Sequence, residues 1–190
     1  RMSFMKEPKA SKYDRDPAVA SPLDAAEAAQ DRETMALVAS ALKERRMRLA
    51  FQPAVYAADP TIIGYFEGFI RLLNRRDMVI PARDFMGAVE QHELGREIDC
   101  AALRMGLMTM QRNPQIRVSI NMSARSVGYR GWGTILRKAL RDSPRLGHSL
   151  ILEINESSAM QVPDVLRPFM EEMRSHGIVF ALDDFGAGML

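Results

Sequence analysis

Glu67, Asn121, Glu153 and the adjacent pair Asp183-Asp184 are each delivered by an apolar run of this 190-residue chain. The runs are TIIGYFEGFIRLL (61–73), IRVSINMSA (116–124), SLILEINES (149–157) and GIVFALDD (177–184). All present carboxylate or carboxamide oxygens, and no His or Cys cluster accompanies them. Hard oxygen ligands of this kind suit Mg²⁺ or Mn²⁺ better than zinc. Ions held by few carboxylates commonly hold phosphates as well. Two neighbouring aspartates suggest two ions, typically ~3.5–4 Å apart, clamping an in-line displacement at phosphorus. Adjacent strand side chains point to opposite faces, so Asp183 and Asp184 are expected to do different jobs. Gly186 and Gly188 then let the chain bend away.

The elements that must position these groups alternate along the chain. Residues 1–20 are polar, contain Pro8 and Pro17, and read as a disordered lead or linker. Ser21-Pro22 opens a helix expected to run to Arg46, with Asp24 in its first turn. That helix either packs on the domain or relays a signal from an upstream one. Strands are expected at 48–57 and 61–73, joined as a hairpin through Ala58-Asp59-Pro60. Residues 81–112 read as a short helix and a long one, broken near Leu94-Gly95. Strand 116–124, helix 131–143, strand 149–157, helix 162–177 and strand 177–184 follow. Such alternation predicts parallel strands with crossover helices, their apolar runs covered on both faces. An open doubly wound sheet and a (β/α)8 barrel both fit. In either, sites are built at the C-terminal ends of the strands, where these acids fall.

Composition narrows the partners. Lys+Arg 26 against Asp+Glu 24 is close to balance, which argues against a DNA- or RNA-binding protein driven by bulk charge. No run reaches the ~18 apolar residues of a membrane span. The single cysteine, Cys100, forms no internal disulfide and fits a reducing, cytoplasmic compartment. His92, His148 and His176 read as surface residues, the methionines as core filler, and Trp132 and Tyr129 as packing.

FQP (51–53), EGFIR (67–71), IPARDFMGAVE (80–90), SINMSARS (119–126), LEINES (152–157) and LDDFGAG (182–188) follow one another between about Leu49 and Leu190, and these six motifs in order give the chain a resemblance to the EAL-domain family, bacterial cyclic di-GMP phosphodiesterases. FQP (51–53) resembles the family's opening motif, EGFIR (67–71) its E-A-L-x-R signature, and IPARDFMGAVE (80–90) the segment that follows. SINMSARS (119–126), LEINES (152–157) and LDDFGAG (182–188) resemble the three later motifs. The resemblance implies an incomplete (β/α)8 TIM-like barrel of about the first five strands, with an N-terminal helix (21–46) and a partial EAL domain (47–190). It implies that Glu67, Asn121, Glu153 and Asp183 are metal ligands and that Asp184 serves a second ion. Gln52 and Arg71 match nucleotide-holding residues, Glu156 a supporting acid, and Ser123 a plausible partner near Asn121. The implied activity is two-metal hydrolysis of cyclic di-GMP to linear pGpG, in a homodimer when full length. The alternative is a receptor that binds cyclic di-GMP without cutting it. Gly68, Phe69 and Asn155 depart from the commoner Ala, Leu and Thr. The family's later lysine, glutamate and glutamine are not in this sequence, so the polypeptide alone is expected to be inactive and aggregation-prone.

Overall fold

The computed structural model describes residues 21–184. The lead at 1–20 and the Phe185–Gly188 part of the last motif lie outside the described residues. Helix α1 (Pro22–Lys43) starts with a reciprocal capping box: Ser21 Oγ accepts from the Asp24 N–H, and Asp24 Oδ2 accepts from the Ser21 N–H. Its first turns are exposed, and only Val38 and Ala41 of its later turns are buried. The helix stops short of the expected Arg46 because Arg45 takes φ 56°, and Arg46 turns to donate to the Leu73 carbonyl.

Strands β1 (Met47–Tyr56) and β2 (Asp59–Leu73) form an antiparallel hairpin. Its turn is Ala57-Ala58, shorter than expected. Asp59 and Pro60 already belong to β2, and Asp59 Oδ1 accepts from both the Thr61 N–H and hydroxyl. A short β3 (Val79–Pro81), absent from the sequence reading, pairs with the end of β2. After α2 (Met86–Val89) comes α3 (Glu93–Arg112), entered through His92. The break therefore precedes Leu94-Gly95. Gly95 is in the first turn of α3, where a Cβ would sit 2.8 Å from the Val89 carbonyl oxygen. That glycine permits close approach of the two helices; it does not end one.

Then come β4 (Val118–Met122), α4 (Arg130–Asp142), α5 (Leu146–Ser149), β5 (Leu150–Asn155), α6 (Glu156–Ala159), α7 (Pro163–Ser175) and β6 (Val179–Asp183). The single-turn α5 and α6 occupy residues expected to be loop and strand. The order across the sheet is β1-β2-β4-β5-β6, with β3 beside β2 and the β2–β4, β4–β5 and β5–β6 pairs parallel. This is the parallel α/β arrangement expected, with five strands in its main path.

Register decides what each face carries. Met47, Leu72, Val118, Ile120, Met122, Leu150, Leu152 and Ile154 share one face and form the core with Leu103, Leu107, Leu136 and Met173 of the helices. Trp132 is fully buried there and meets Phe169 edge-on at 5.7 Å, so it packs as expected. Gly68 and Gly106 both lie against Ile120, where a Cβ on Gly68 would come within 3.1 Å of the Ile120 side chain. The glycine of the E-G-F variant thus makes room for Ile120 and Leu49. The opposite face holds the polar residues and is not covered along its length: Val179 on the edge strand β6 is 44% exposed. The expectation of two covered faces therefore holds for β4 and β5, which are buried almost throughout, but not for β6.

Candidate functional site

Three rows of residues on the open face build the site. Gln52, Glu67 and Ser119 are register partners; one row further on are Asn121 and Glu153; beyond them are Asn155 and Asp183. Each step is two residues, so every one of these side chains leaves the sheet on the same side. The odd-numbered acids expected at the strand ends therefore converge because the parallel strands are staggered. Glu67 and Asn121 touch, the amide Nδ2 donating to Glu67 Oε1 at 3.3 Å. Glu153 is buried beside them.

Glu153 carries the strongest electrostatic signature. Burial pushes its carboxyl up to about 7, with the negative charges of Glu67 and Asp183 acting in the same direction and the Ser119 hydroxyl opposing them. The same two glutamates help burial raise the Tyr65 phenol. Ser119 Oγ is fully buried and has no well-formed hydrogen bond among the described residues. Among those residues, no three His, Cys, Asp or Glu side chains converge into a metal-holding group unaided. The converged set is two glutamates with an asparagine oxygen, and Asp183 contributes its charge from an exposed position one row away. A hard divalent cation fits this donor set: repelling carboxylates, one of them forced toward protonation, gain most from a positive charge between them.

Asp184 has φ 54°, a left-handed conformation that costs most residues but is tolerated by aspartate. Its N–H donates to Asp183 Oδ1 at 2.9 Å, and its Oδ2 accepts from Asn155 Nδ2 at 2.8 Å. Asn155 uses its other side-chain atom, Oδ1, to accept from the Ser157 N–H and hydroxyl and the Ser158 N–H, capping α6. One amide thus ties the end of β6 to the start of α6, whose first residue is Glu156. A threonine there could cap but could not also reach across with an amide donor. Asn155→Ala is expected to lower the unfolding free energy by about 1–2 kcal/mol through the lost cap, read by urea denaturation.

Ser123, expected near Asn121, spends its hydroxyl accepting from the Arg125 N–H, and its own N–H donates to Asp99 Oδ2 at 2.8 Å. It lies in the loop that follows Asn121, and among the described residues no hydrogen bond joins it to the Asn121 side chain. Asp99 is the residue that sequence reasoning missed. It is buried on α3 and also accepts the Ser126 hydroxyl at 2.6 Å, clamping that loop from behind. The available signal was a lone acid in the apolar stretch IDCAAL. Burial pushes Asp99 up to about 6 against these hydrogen bonds. Its folded value lies above its unfolded one, so its contribution to stability falls as pH rises from about 4 through 6. Asp99→Asn should flatten that part of the pH–stability curve by about 2 kcal/mol, measured by urea denaturation at pH 4, 5, 6 and 7.

Gln52 is exposed opposite Glu67, and Arg71 follows Glu67 further along β2, its guanidinium 5.5 Å from the Phe69 ring centroid. Among the described residues no helix is long and apolar enough to cross a membrane.

The family model described as the EAL domain matches residues 36–190. The chain is 30% identical over 154 residues to a bifunctional diguanylate cyclase/cyclic di-GMP phosphodiesterase, MucR of Pseudomonas aeruginosa, covering 78% of this chain and 22% of that protein. It is 26% identical over 155 residues to the cyclic di-GMP phosphodiesterase PdeB of Shewanella oneidensis, covering 80% of this chain and 18% of that one. The chain thus spans about a fifth of the length of these curated relatives. Among solved structures, the MucR phosphodiesterase in complex with c-di-GMP is similar at TM-score 0.66 and 25% identity, over 82% of this chain and 65% of that one. The Xanthomonas citri FimX EAL domain in complex with c-diGMP has the same fold at TM-score 0.73 and 19% identity, over 87% and 65%.

Proposed function

Because the chain belongs to the EAL-domain family, we propose that the protein is a divalent-cation-dependent phosphodiesterase that hydrolyses cyclic di-GMP to linear pGpG, with residues 47–190 carrying its part of the site. The observation that supports this most is the convergence of Glu67, Asn121 and Glu153 from three adjacent strands, with Asn121 bonded to Glu67 and the Glu153 carboxyl pushed up to about 7.

Glu67, Asn121, Glu153 and Asp183 would hold Mg²⁺ or Mn²⁺, and Asp184 would serve a second ion. Bound there, the ions supply Lewis acidity toward a phosphate oxygen and toward water. The chain's own residues supply the rest. Asn121 fixes the Glu67 carboxylate, and the Asn155 amide fixes Asp184 in its left-handed turn. Gln52 and Arg71 lie on the same face, suited to hold a base edge and a phosphate oxygen. Glu156 supports the loop that starts α6. In the net reaction water adds oxygen to phosphorus, the P–O3′ bond breaks, and the ribose 3′-oxygen leaves with a proton. A homodimeric, cytoplasmic protein is part of the same reading.

The second reading, a receptor that binds cyclic di-GMP without cutting it, draws on the E-G-F variant. Asn121→Ala separates the two in the intact protein. An enzyme should lose turnover by ~10²-fold or more, beyond the range of a supporting residue, while a receptor's binding isotherm should hardly move. Turnover unchanged by Asn121→Ala would remove Asn121 from the ligand set.

A further inference from the structure

The open face carries a feature beyond the carboxylate cluster. Arg48 and Arg71 are direct register partners on β1 and β2, and both lie on the face that holds Gln52 and Glu67. Like charges set directly opposite each other across an antiparallel pair are destabilising. No salt bridge offsets them among the described residues. Glu44, the acid just past α1, is already engaged by Arg46 at 2.8 Å and reached by Arg75 at 3.8 Å.

The two guanidiniums are held but not consumed. Arg71 Nη1 donates to the Ile70 carbonyl at 3.0 Å, and its guanidinium rests 5.5 Å from the Phe69 ring centroid. Arg48 Nη1 donates to the Met47 and Arg45 carbonyls at 2.8 and 3.2 Å. Each side chain has five N–H donors in a planar fork, so most of both forks is left for a ligand. Main-chain contacts and ring stacking reduce the rotamer freedom lost on binding. Two partly fixed forks on register-partner residues, neither paired with an acid among the described residues, suit the oxygens of a phosphate group.

We propose that Arg48 and Arg71 act together as a two-arginine phosphate clamp, with Arg48 the additional binding residue, engaging a phosphate of the substrate on the side of Phe69 away from Glu67. The identity of that substrate as a cyclic dinucleotide rests on the function proposed above. The clamp binds and orients; it contributes no group to bond cleavage.

The test is calorimetric titration of the intact protein in excess EDTA, so that nothing is hydrolysed, with cyclic di-GMP and separately with sodium pyrophosphate. Arg48→Gln is expected to weaken both probes about tenfold, the loss of one charge-assisted contact. It should also reduce the dependence of log Kd on log salt by about one charge, because one fewer phosphate contact is screened. Arg48→Lys keeps the charge and loses the fork, and should fall between the two. Arg48 is exposed and outside the core, so Arg48→Gln should fold as the wild type does, its thermal midpoint moved only by the small opposing effects of the lost carbonyl contacts and the relieved repulsion. Wild-type affinity and salt dependence in Arg48→Gln would overturn the clamp while leaving the phosphodiesterase reading intact. Arg48-dependent binding of pyrophosphate with no binding of cyclic di-GMP would keep the clamp and sink the dinucleotide reading. Failure of the wild type to bind either probe would overturn the clamp.

Discussion

Glu153→Gln is expected to make the metal-free protein more stable at pH 8 and to remove its hydrolytic activity. The glutamate is buried, and burial, assisted by the charges of Glu67 and Asp183, lifts its carboxyl to about 7. An acid whose folded pKa lies above its unfolded one binds more protons when folded. Stability is therefore fullest below about pH 4.5 and is lost as pH rises through 7. The size of that loss is about 2–3 kcal/mol. Glutamine is nearly isosteric and uncharged, so it removes the cost while leaving the neighbours in place. Urea denaturation in EDTA at pH 5 and pH 8 should show wild type losing stability at the higher pH, with the slope largely absent in Glu153→Gln. Turnover should fall by ~10³-fold, a larger loss than supporting partners of metal ligands give. A variant that keeps the wild-type slope would mean that Glu153 does not carry the strain assigned to it.

Divalent-ion binding should be coupled to release of a proton. A carboxylate must be ionised to ligate, and Glu153 is held protonated below about 7 by its surroundings. Affinity for Mn²⁺ should therefore climb by roughly tenfold per pH unit between pH 5 and 7 and level off above that. Calorimetry of Mn²⁺ binding at pH 6, in two buffers of different ionisation enthalpy, should report close to one proton released per ion bound at the glutamate pair. Stabilisation by added Mn²⁺ should likewise be greater at pH 8 than at pH 5, because ligand binding to the native state adds to its stability. Affinity that is flat from pH 5 to 8 would place the ion away from Glu153.

The strand-end acids were legible in the sequence because period-two alternation and parallel topology together fix which side each residue leaves the sheet. Glu67, Asn121, Glu153 and Asp183 are all odd-numbered, and the observed register puts them on one face. Register itself was not legible, so neither the three-row stagger nor the opposition of Arg48 to Arg71 could be read in advance. Asp99 was hidden for a different reason. It sits on a helix among apolar neighbours, and its meaning comes from Ser123 and Ser126, partners far along the chain. Asn155 looked like a polar exchange for threonine; its double use as cap and tether depends on the left-handed turn at Asp184. Short elements such as β3, α5 and α6 escaped because segments of three or four residues carry too little periodicity to detect.

The most direct test of the phosphodiesterase reading is to incubate the intact protein with cyclic di-GMP and Mn²⁺ and resolve the products by chromatography. Linear pGpG is expected in Mn²⁺, none in EDTA, and none from Asn121→Ala. Cyclic di-GMP recovered uncut, with binding undiminished by Asn121→Ala, would contradict it and leave the receptor reading in its place.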